Sequence, residues 1–585
     1  MSIREKVPFA LYILPLLLLS ASGAGCGKVE DSDRDSSYGP SGRAGSYSPD
    51  NGGKASSGFG GTTGFIGSKT GGASGSKPSG FGGSASGGSA AAETGNTNIS
   101  LSGSQDFGLV RAKLTANQVP AAADMDASGF FAEHHAPLPM PDCGERVCLQ
   151  PMLAVMGNLT TGSNCTMLQI GLNSPIVADP TKRPPLSLAV VVDVSGSMQS
   201  ANKIDFVRTG LQHLVDGMRD GDRLSIVTYN ESVKIFFPMQ EISLKRGALR
   251  ELVRGLVADG GTNIHDGLKV GFEQLRMQFD PGRQNRVVML SDGQPTAGIT
   301  NLDTILQMSK SYNSEGIGLT TVGLGTDFNV SLMRGLAQQG DGNFYFLENA
   351  GAVTEVFSEE LSYFTVPIAL DLKVTMKRGS YYTVGRAYGS PMWQTSKDGG
   401  SLDIPSVFLA HRVSHKDQTP DGGRRGGGSA LLIELMPTLQ KDDGSGAMSA
   451  QVATLELSFR EPGTNRRVVQ TVDVNFPLPP WMTPDVGFFW SRDVSVLEKS
   501  FVMLNIYAGL ENAAKAFHSD RTLAQEHITM LRRLVAAVMD YNEEVRDEDI
   551  ADDILLLNQM IRVMIANGVR DPAAVPPPAN PWPRD

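Results

Sequence analysis

Between residues 184 and 364 the chain alternates short apolar runs with segments of helical period. Leu186 to Val194 (LSLAVVVDV) is almost continuously apolar and β-branched, the pattern of a strand buried on both faces, and it carries Asp193 near its end. From Lys203 to Met218 apolar residues recur every three or four positions, which predicts a helix. Further strands are predicted over Leu224 to Tyr229, Val233 to Phe237, Arg286 to Leu290, Gly318 to Leu324 and Asn343 to Leu347. Helices are predicted over Lys245 to Leu256, Ile264 to Gln278, Leu302 to Asn313, Ser331 to Gln339 and around Val353 to Tyr363. Such alternation over about 180 residues predicts an α/β fold, a doubly wound, mostly parallel sheet with helices on both faces.

The flanks have other periods. In residues 99–183, strands are expected at Met152 to Met156 and Thr166 to Ile170, and in residues 365–480 at Ala369 to Met376, Ala430 to Leu435, Val452 to Phe459 and Arg467 to Phe476. One antiparallel β-sandwich built from both flanks would bring the two ends of the α/β domain together, as an inserted domain requires. The stretch Gly422 to Ser429 (GGRRGGGS) reads as a flexible connection. In residues 481–570 the apolar positions Leu497, Phe501, Leu504, then Ile528, Leu531, Val535, Val538, then Ile554, Leu557, Met560, Ile561, Met564 predict a helical bundle. Residues 571–585 are Pro-rich and expected to be extended.

At the N-terminus, Arg4 and Lys6 precede an apolar run of about 13 residues, Pro8 to Ser20, too short to span a bilayer and typical of an export signal over residues 1–25. Residues 26–98 follow as a tether: Gly27 to Asn98 holds 20 glycines and 15 serines in 72 residues. A coil of that composition reaches roughly 45 to 50 Å. The junction Gly23-Ala24-Gly25-Cys26 resembles the bacterial lipoprotein signal. That resemblance implies a diacylated Cys26 as the mature N-terminus and a membrane anchor in the cell envelope, with Gly27 favouring the outer membrane; plain secretion is the alternative.

Net charge is -11, from 51 basic and 62 acidic residues, and no Lys/Arg stripe appears, which argues against a nucleic-acid partner. There is no GxxxxGK[ST] for a nucleotide and no CxxC or HExxH for zinc. In an oxidising compartment Cys143, Cys148 and Cys165 allow one disulfide and leave one thiol. Cys143 with Cys148 would close a small loop, and Cys148 with Cys165 would join adjacent strands.

Ligands of doubly wound sheets bind outside the carboxyl ends of the strands, so the polar clusters there are the informative ones. Asp193, Ser195 and Ser197 follow the first strand in DVSGSM, Thr262 lies in GGTNI at the start of a helix, and Asp292 follows RVVML in LSDGQPT. Two carboxylates and three hydroxyls form an all-oxygen set suited to Mg²⁺, with Mn²⁺ or Ca²⁺ as alternatives. Asp266 is placed either to hold a metal-bound water or to serve as an early-helix acid, while His265 is expected to be a surface or packing histidine rather than a ligand.

These three motifs, in this order and spacing, resemble the metal-ion-dependent adhesion site (MIDAS) of the von Willebrand factor type A (VWA) domain. The resemblance implies direct coordination by Ser195 and Ser197, by Thr262 directly or through water, and by Asp193 and Asp292 mainly through water. It also implies an open coordination position for an Asp or Glu of a protein partner, and flanking β modules of the kind other members carry. The GxSxG nucleophile elbow is absent, because Asp193 stands where that motif needs Gly. A non-enzymatic binding protein is therefore expected, with a structural envelope protein or a metal-dependent hydrolase as alternatives.

Overall fold

The computed structural model describes residues 97–99, 107–134, 136, 138–160, 164–176, 183–326, 328–347, 352–353, 356–357, 367–408, 430–438, 450–464, 466–476, 488–490 and 494–572. Residues 1–25, expected to be an export signal, Cys26, nearly all of the Gly/Ser segment, the GGRRGGGS stretch and nearly all of the Pro-rich tail lie outside them. So does most of the helix expected around Val353 to Tyr363.

Before the α/β domain the chain forms β1 (Thr97–Asn98), α1 (Gly108–Thr115), α2 (Ala127–Ala132), β2 (Cys148–Gly157) and β3 (Asn164–Ser174). The two helices depart from the expectation of strands alone in this flank. Phe107, just before α1, and the helical Val110, Leu114, Phe130 and Phe131 join the core of the C-terminal helices. The three-to-four spacing of 107, 110 and 114 is helical.

The α/β domain contains β4 (Leu186–Asp193), α3 (Lys203–Gly217), β5 (Arg223–Tyr229), β6 (Val233–Glu241), α4 (Arg246–Arg254), α5 (Ile264–Arg276), β7 (Gln284–Ser291), α6 (Leu302–Asn313), β8 (Gly318–Leu324), α7 (Val330–Gln339) and β9 (Phe344–Leu347). The strands run in the order β6-β5-β4-β7-β8-β9, all parallel except the antiparallel edge strand β6. All eight residues of β4 are buried. Leu188, Val190 and Val192 pack in one core with Val207, Leu211 and Leu214 of α3, while Ala189 and Val191 pack on the other face with Leu268 and Phe272 of α5. Burial on both faces is why this strand reads as an unbroken apolar run.

Two features set the ends of β4. At its start, buried Asp222 accepts from the Leu186 N–H (2.8 Å) and from both Arg183 Nη1 (3.2 Å) and Nη2 (2.6 Å). Near its other end α5 lies unusually close. A Cβ on Gly271 would fall 2.3 Å from Val191 Cγ2, and one on Gly267 2.6 Å from the Tyr229 ring. Two glycines thus let α5 seat directly on β4 and β5, which carries the loop before α5 over the strand ends.

After the domain come β10 (Pro367–Arg378), β11 (Tyr382–Tyr388), β12 (Gln394–Ser396), β13 (Gly399–Phe408), β14 (Leu431–Pro437), β15 (Ala450–Arg460), β16 (Arg467–Phe476) and β17 (Phe488–Trp490). They complete two antiparallel sheets, β11-β14-β3-β2-β17 and β12-β13-β10-β15-β16. Strand β14 pairs with β3 from Leu431↔Ile170 to Leu435↔Thr166, so segments before and after the α/β domain share one sheet. Leu153, Val155, Leu168 and Ile170 of the first sheet share a core with Val374, Leu455 and Leu457 of the second. The alternate residues Met152, Ala154, Met156 and Met167 face the helices α8 (Val494–Ser519), α9 (Arg521–Val545) and α10 (Glu548–Ala566). Among the described residues no helix is long and apolar enough to cross a membrane.

Cys143 and Cys148 form a disulfide, with Cα atoms 5.7 Å apart. The other pairing considered, Cys148 with Cys165, is excluded by register. Cys148 lies opposite Asn173, whereas Cys165 lies opposite Met156, eight residues further along β2.

Candidate functional site

The strand order reverses direction from β4, with β5 on one side and β7 on the other, and the polar motifs gather at the carboxyl ends of these strands. Backbone hydrogen bonds tie their loops together. The Gly196 N–H donates to Gly260 O (2.9 Å), Asp259 N–H to Val194 O (2.7 Å), and Thr296 N–H to Thr262 O (2.9 Å). The Thr262 N–H in turn donates to Thr296 Oγ1 (3.0 Å). Gly260, at φ +82, makes the turn that admits this contact.

All five predicted residues converge. Ser195 Oγ and Ser197 Oγ are 3.1 Å apart, and Ser197 Oγ donates to Asp292 Oδ1 (2.8 Å). A Cβ on Gly293 would lie 3.4 Å from Thr262 Oγ1 and 3.9 Å from Asp193 Oδ2, so both oxygens flank that glycine. Asp193, Ser195, Thr262 and Asp292 are buried, whereas Ser197 is exposed and marks the mouth of the site.

Asp193 is held from several sides. Its Oδ1 accepts from the Ser195 N–H (2.9 Å), and its Oδ2 accepts from Ser291 Oγ (2.7 Å) and the Tyr229 hydroxyl (3.3 Å). Burial pushes the Asp193 carboxyl above its ordinary value, against the pull of the bonds from Ser195 and Ser291. Burial likewise raises the Tyr229 phenol well above the usual range, with the neighbouring Asp193 charge adding to it, so it stands as a neutral donor.

Asp266 is half exposed and does not enter this group. Its carboxylate takes His265 Nδ1 (2.8 Å) and Asn263 Nδ2 (2.9 Å), and the His265 bond leads in lowering its pKa. His265, the second residue of α5, is buried, and Met198 is fully buried.

Sequence reasoning missed Tyr229 and Ser291, which brace Asp193, and Lys203. The Lys203 ammonium lies 2.5 Å from Asp292 Oδ2. The one local sign of it is a lysine in line with the buried positions Val207, Gly210, Leu211 and Leu214 of α3.

Among the described residues no three His, Cys, Asp or Glu side chains cluster as a metal group. The assembled set of two carboxylates and three hydroxyls, without imidazole or thiolate, has the donor chemistry of a hard divalent cation, and these residues fit one.

Residues 187–359 match the model of the von Willebrand factor type A domain, and this part of the chain is such a domain. The uncharacterized protein YfbK of Escherichia coli strain K12 is 29% identical over 261 residues, covering 44% of this chain and 43% of that protein. The chain spans less than half the length of the first curated relatives it matches. Among solved structures, a von Willebrand factor type A protein from Catenulispora acidiphila is similar at 13% identity and a TM-score of 0.43, covering 69% of this chain and 89% of that one. Proximal thread matrix protein 1 of the mussel byssus, solved with zinc occupying its MIDAS motif, is similar at 21% identity and a TM-score of 0.26, covering 31% and 46%.

Proposed function

We propose that this chain is a non-enzymatic, metal-dependent binding protein of the bacterial cell envelope, whose VWA domain takes an Asp or Glu of a partner protein. The observation that supports this most is the convergence of five oxygen-bearing side chains from three loops on a site whose one exposed member is Ser197. A bound Mg²⁺, or Mn²⁺ or Ca²⁺ in its place, supplies an electrophilic centre with room for a carboxylate. Ser195, Ser197 and Thr262 offer neutral lone pairs, so the direct ligands cancel little of the cation's charge. Asp193 and Asp292 sit in fixed orientations, held by Ser291 and Tyr229 on one side and Ser197 and Lys203 on the other. Neither carboxylate is left in the role of a free base, which favours binding over hydrolysis.

Lipidation of Cys26 and the Gly/Ser tether belong to the same proposal, giving the folded part reach from a membrane surface. Mass spectrometry of the mature N-terminus tests the anchor, and an unmodified Cys26 overturns it. Calorimetry of the full chain with a short peptide bearing a single Glu tests the binding role. Binding is expected with Mg²⁺ and lost in EDTA or in Ser195→Ala/Ser197→Ala. Equal peptide binding in EDTA overturns the proposal; metal that raises the melting temperature without any peptide binding reduces the site to a stabilising one.

A further inference from the structure

A lysine on the buried stripe of an amphipathic helix is costly. Lys203 opens α3 in line with Val207, Leu211 and Leu214, and its side chain is only 9% exposed. Its ammonium lies 2.5 Å from Asp292 Oδ2 and 3.5 Å from the Ser197 carbonyl oxygen. An apolar side chain would fill this position without the desolvation that a buried ion pair requires.

The backbone before the lysine and a glycine across from it are both distinctive. Ala201 and Asn202, immediately before it, both adopt left-handed backbone, at φ 52° and 60°, which turns the chain sharply into α3. Gly325, just past β8, has φ +76°, and a Cβ there would fall 2.6 Å from Lys203 Cε and 3.0 Å from Nζ. The glycine at 325, from a distant segment, thus leaves room for the end of the lysine side chain.

Asp292 is divided between two partners: Oδ1 accepts from Ser197 Oγ and Oδ2 from Lys203. This alters the charge count of the site. With Asp193 and Asp292 alone, a divalent cation would leave the site formally neutral. With Lys203 included, the loaded site carries one net positive charge, matched to a single carboxylate.

We propose that Lys203 is a resident counter-cation acting through Asp292: it weakens the hold on the divalent ion and strengthens the hold on an anionic partner group. The inference rests on the metal-dependent reading given above. It makes Lys203 a determinant of selectivity for carboxylates rather than a strut, because a strut would support metal binding and not oppose it.

The test compares wild type, Lys203→Met and Lys203→Arg as full chains, with Lys203→Gln in place of the Met variant if that one does not fold. Mn²⁺ affinity is read by electron paramagnetic resonance and Mg²⁺ affinity by calorimetry. Binding of the single-Glu peptide is then measured at saturating metal. Lys203→Met is expected to bind metal about tenfold tighter and the peptide about tenfold more weakly, with Lys203→Arg near wild type. Metal binding by Lys203→Met that is equal to or weaker than wild type overturns the inference while leaving the binding role intact. Tighter metal with unchanged peptide affinity also overturns it. Metal binding by Lys203→Met but not by the wild type overturns both the metal-dependent role and the inference that rests on it. Absence of metal binding in every form overturns both.

Discussion

Replacing Asp222 by Asn tests how the start of β4 is held. This carboxylate, 1% exposed, accepts four hydrogen bonds: from Arg183 Nη1 and Nη2, from the Leu186 N–H and from the Arg219 N–H at 2.7 Å. An Asn side chain has one acceptor oxygen, and its NH₂ would face donors. About half of the bonds are lost, and the Arg183 guanidinium, 4% exposed, keeps its charge without a carboxylate. Breaking a buried pair in this way costs about 3 to 5 kcal/mol. That corresponds to opening of β4 and β5 that is more frequent by about a hundredfold to a few thousandfold. Amide hydrogen exchange of the full chain at pH 7, read in peptides covering 186–193 and 223–229, measures it directly. Exchange in both strands within about fivefold of wild type would refute the reasoning.

The same residue sets a pH dependence with a definite sign. Burial alone would raise the Asp222 carboxyl, but the Arg183 bonds and the two backbone N–H groups outweigh it and hold it below its ordinary value of 3.8. A depressed folded-state pKa contributes stability that is complete above the unfolded value and is lost as pH falls through the folded one. The difference between wild type and Asp222→Asn is therefore full near neutrality and closes below about pH 4, once exchange is corrected for its intrinsic rate.

Other consequences are equally direct. Without reductant the Cys143–Cys148 loop should resist alkylation, and removing it should cost about 2 kcal/mol by loop entropy; labelling of both cysteines in unreduced protein contradicts the pairing. Gly271→Ala, usually worth about 1 kcal/mol of helix stability, should instead lower the melting temperature, because its Cβ would meet Val191 Cγ2 at 2.3 Å and overpacking costs about 1 to 3 kcal/mol. A raised melting temperature would show that α5 can shift off the sheet. Asp553→Ala should loosen α2 by about 1 to 3 kcal/mol, since buried His134 bonds Asp553 through Nε2 (2.7 Å) and the Phe130 carbonyl through Nδ1 (2.8 Å). Limited proteolysis between residues 107 and 134 reports it, and an unchanged cleavage rate opposes it.

What the chain discloses locally differs from what it discloses only when folded. Strand β4 is legible because burial on both faces leaves an apolar run that no exposed segment would carry. The five site residues are legible because each polar motif sits at a strand or helix end. By contrast, β11 and β13 owe their pairing to β14 and β10, and neither alternates cleanly enough to announce itself. The disulfide depended on the register of β2 against β3, which spacing alone left open. Tyr229 and Ser291 read as ordinary strand residues, because their bonds to Asp193 join segments 36 and 98 positions apart. Lys203 lies between these cases. Its partner Asp292 is 89 residues away, yet a lysine in line with Val207, Leu211 and Leu214 breaks an apolar stripe that has no local reason to break. Such a break demands a buried counter-charge, and with Asp193 and Asp292 at the ends of the neighbouring strands the demand points back to the site itself.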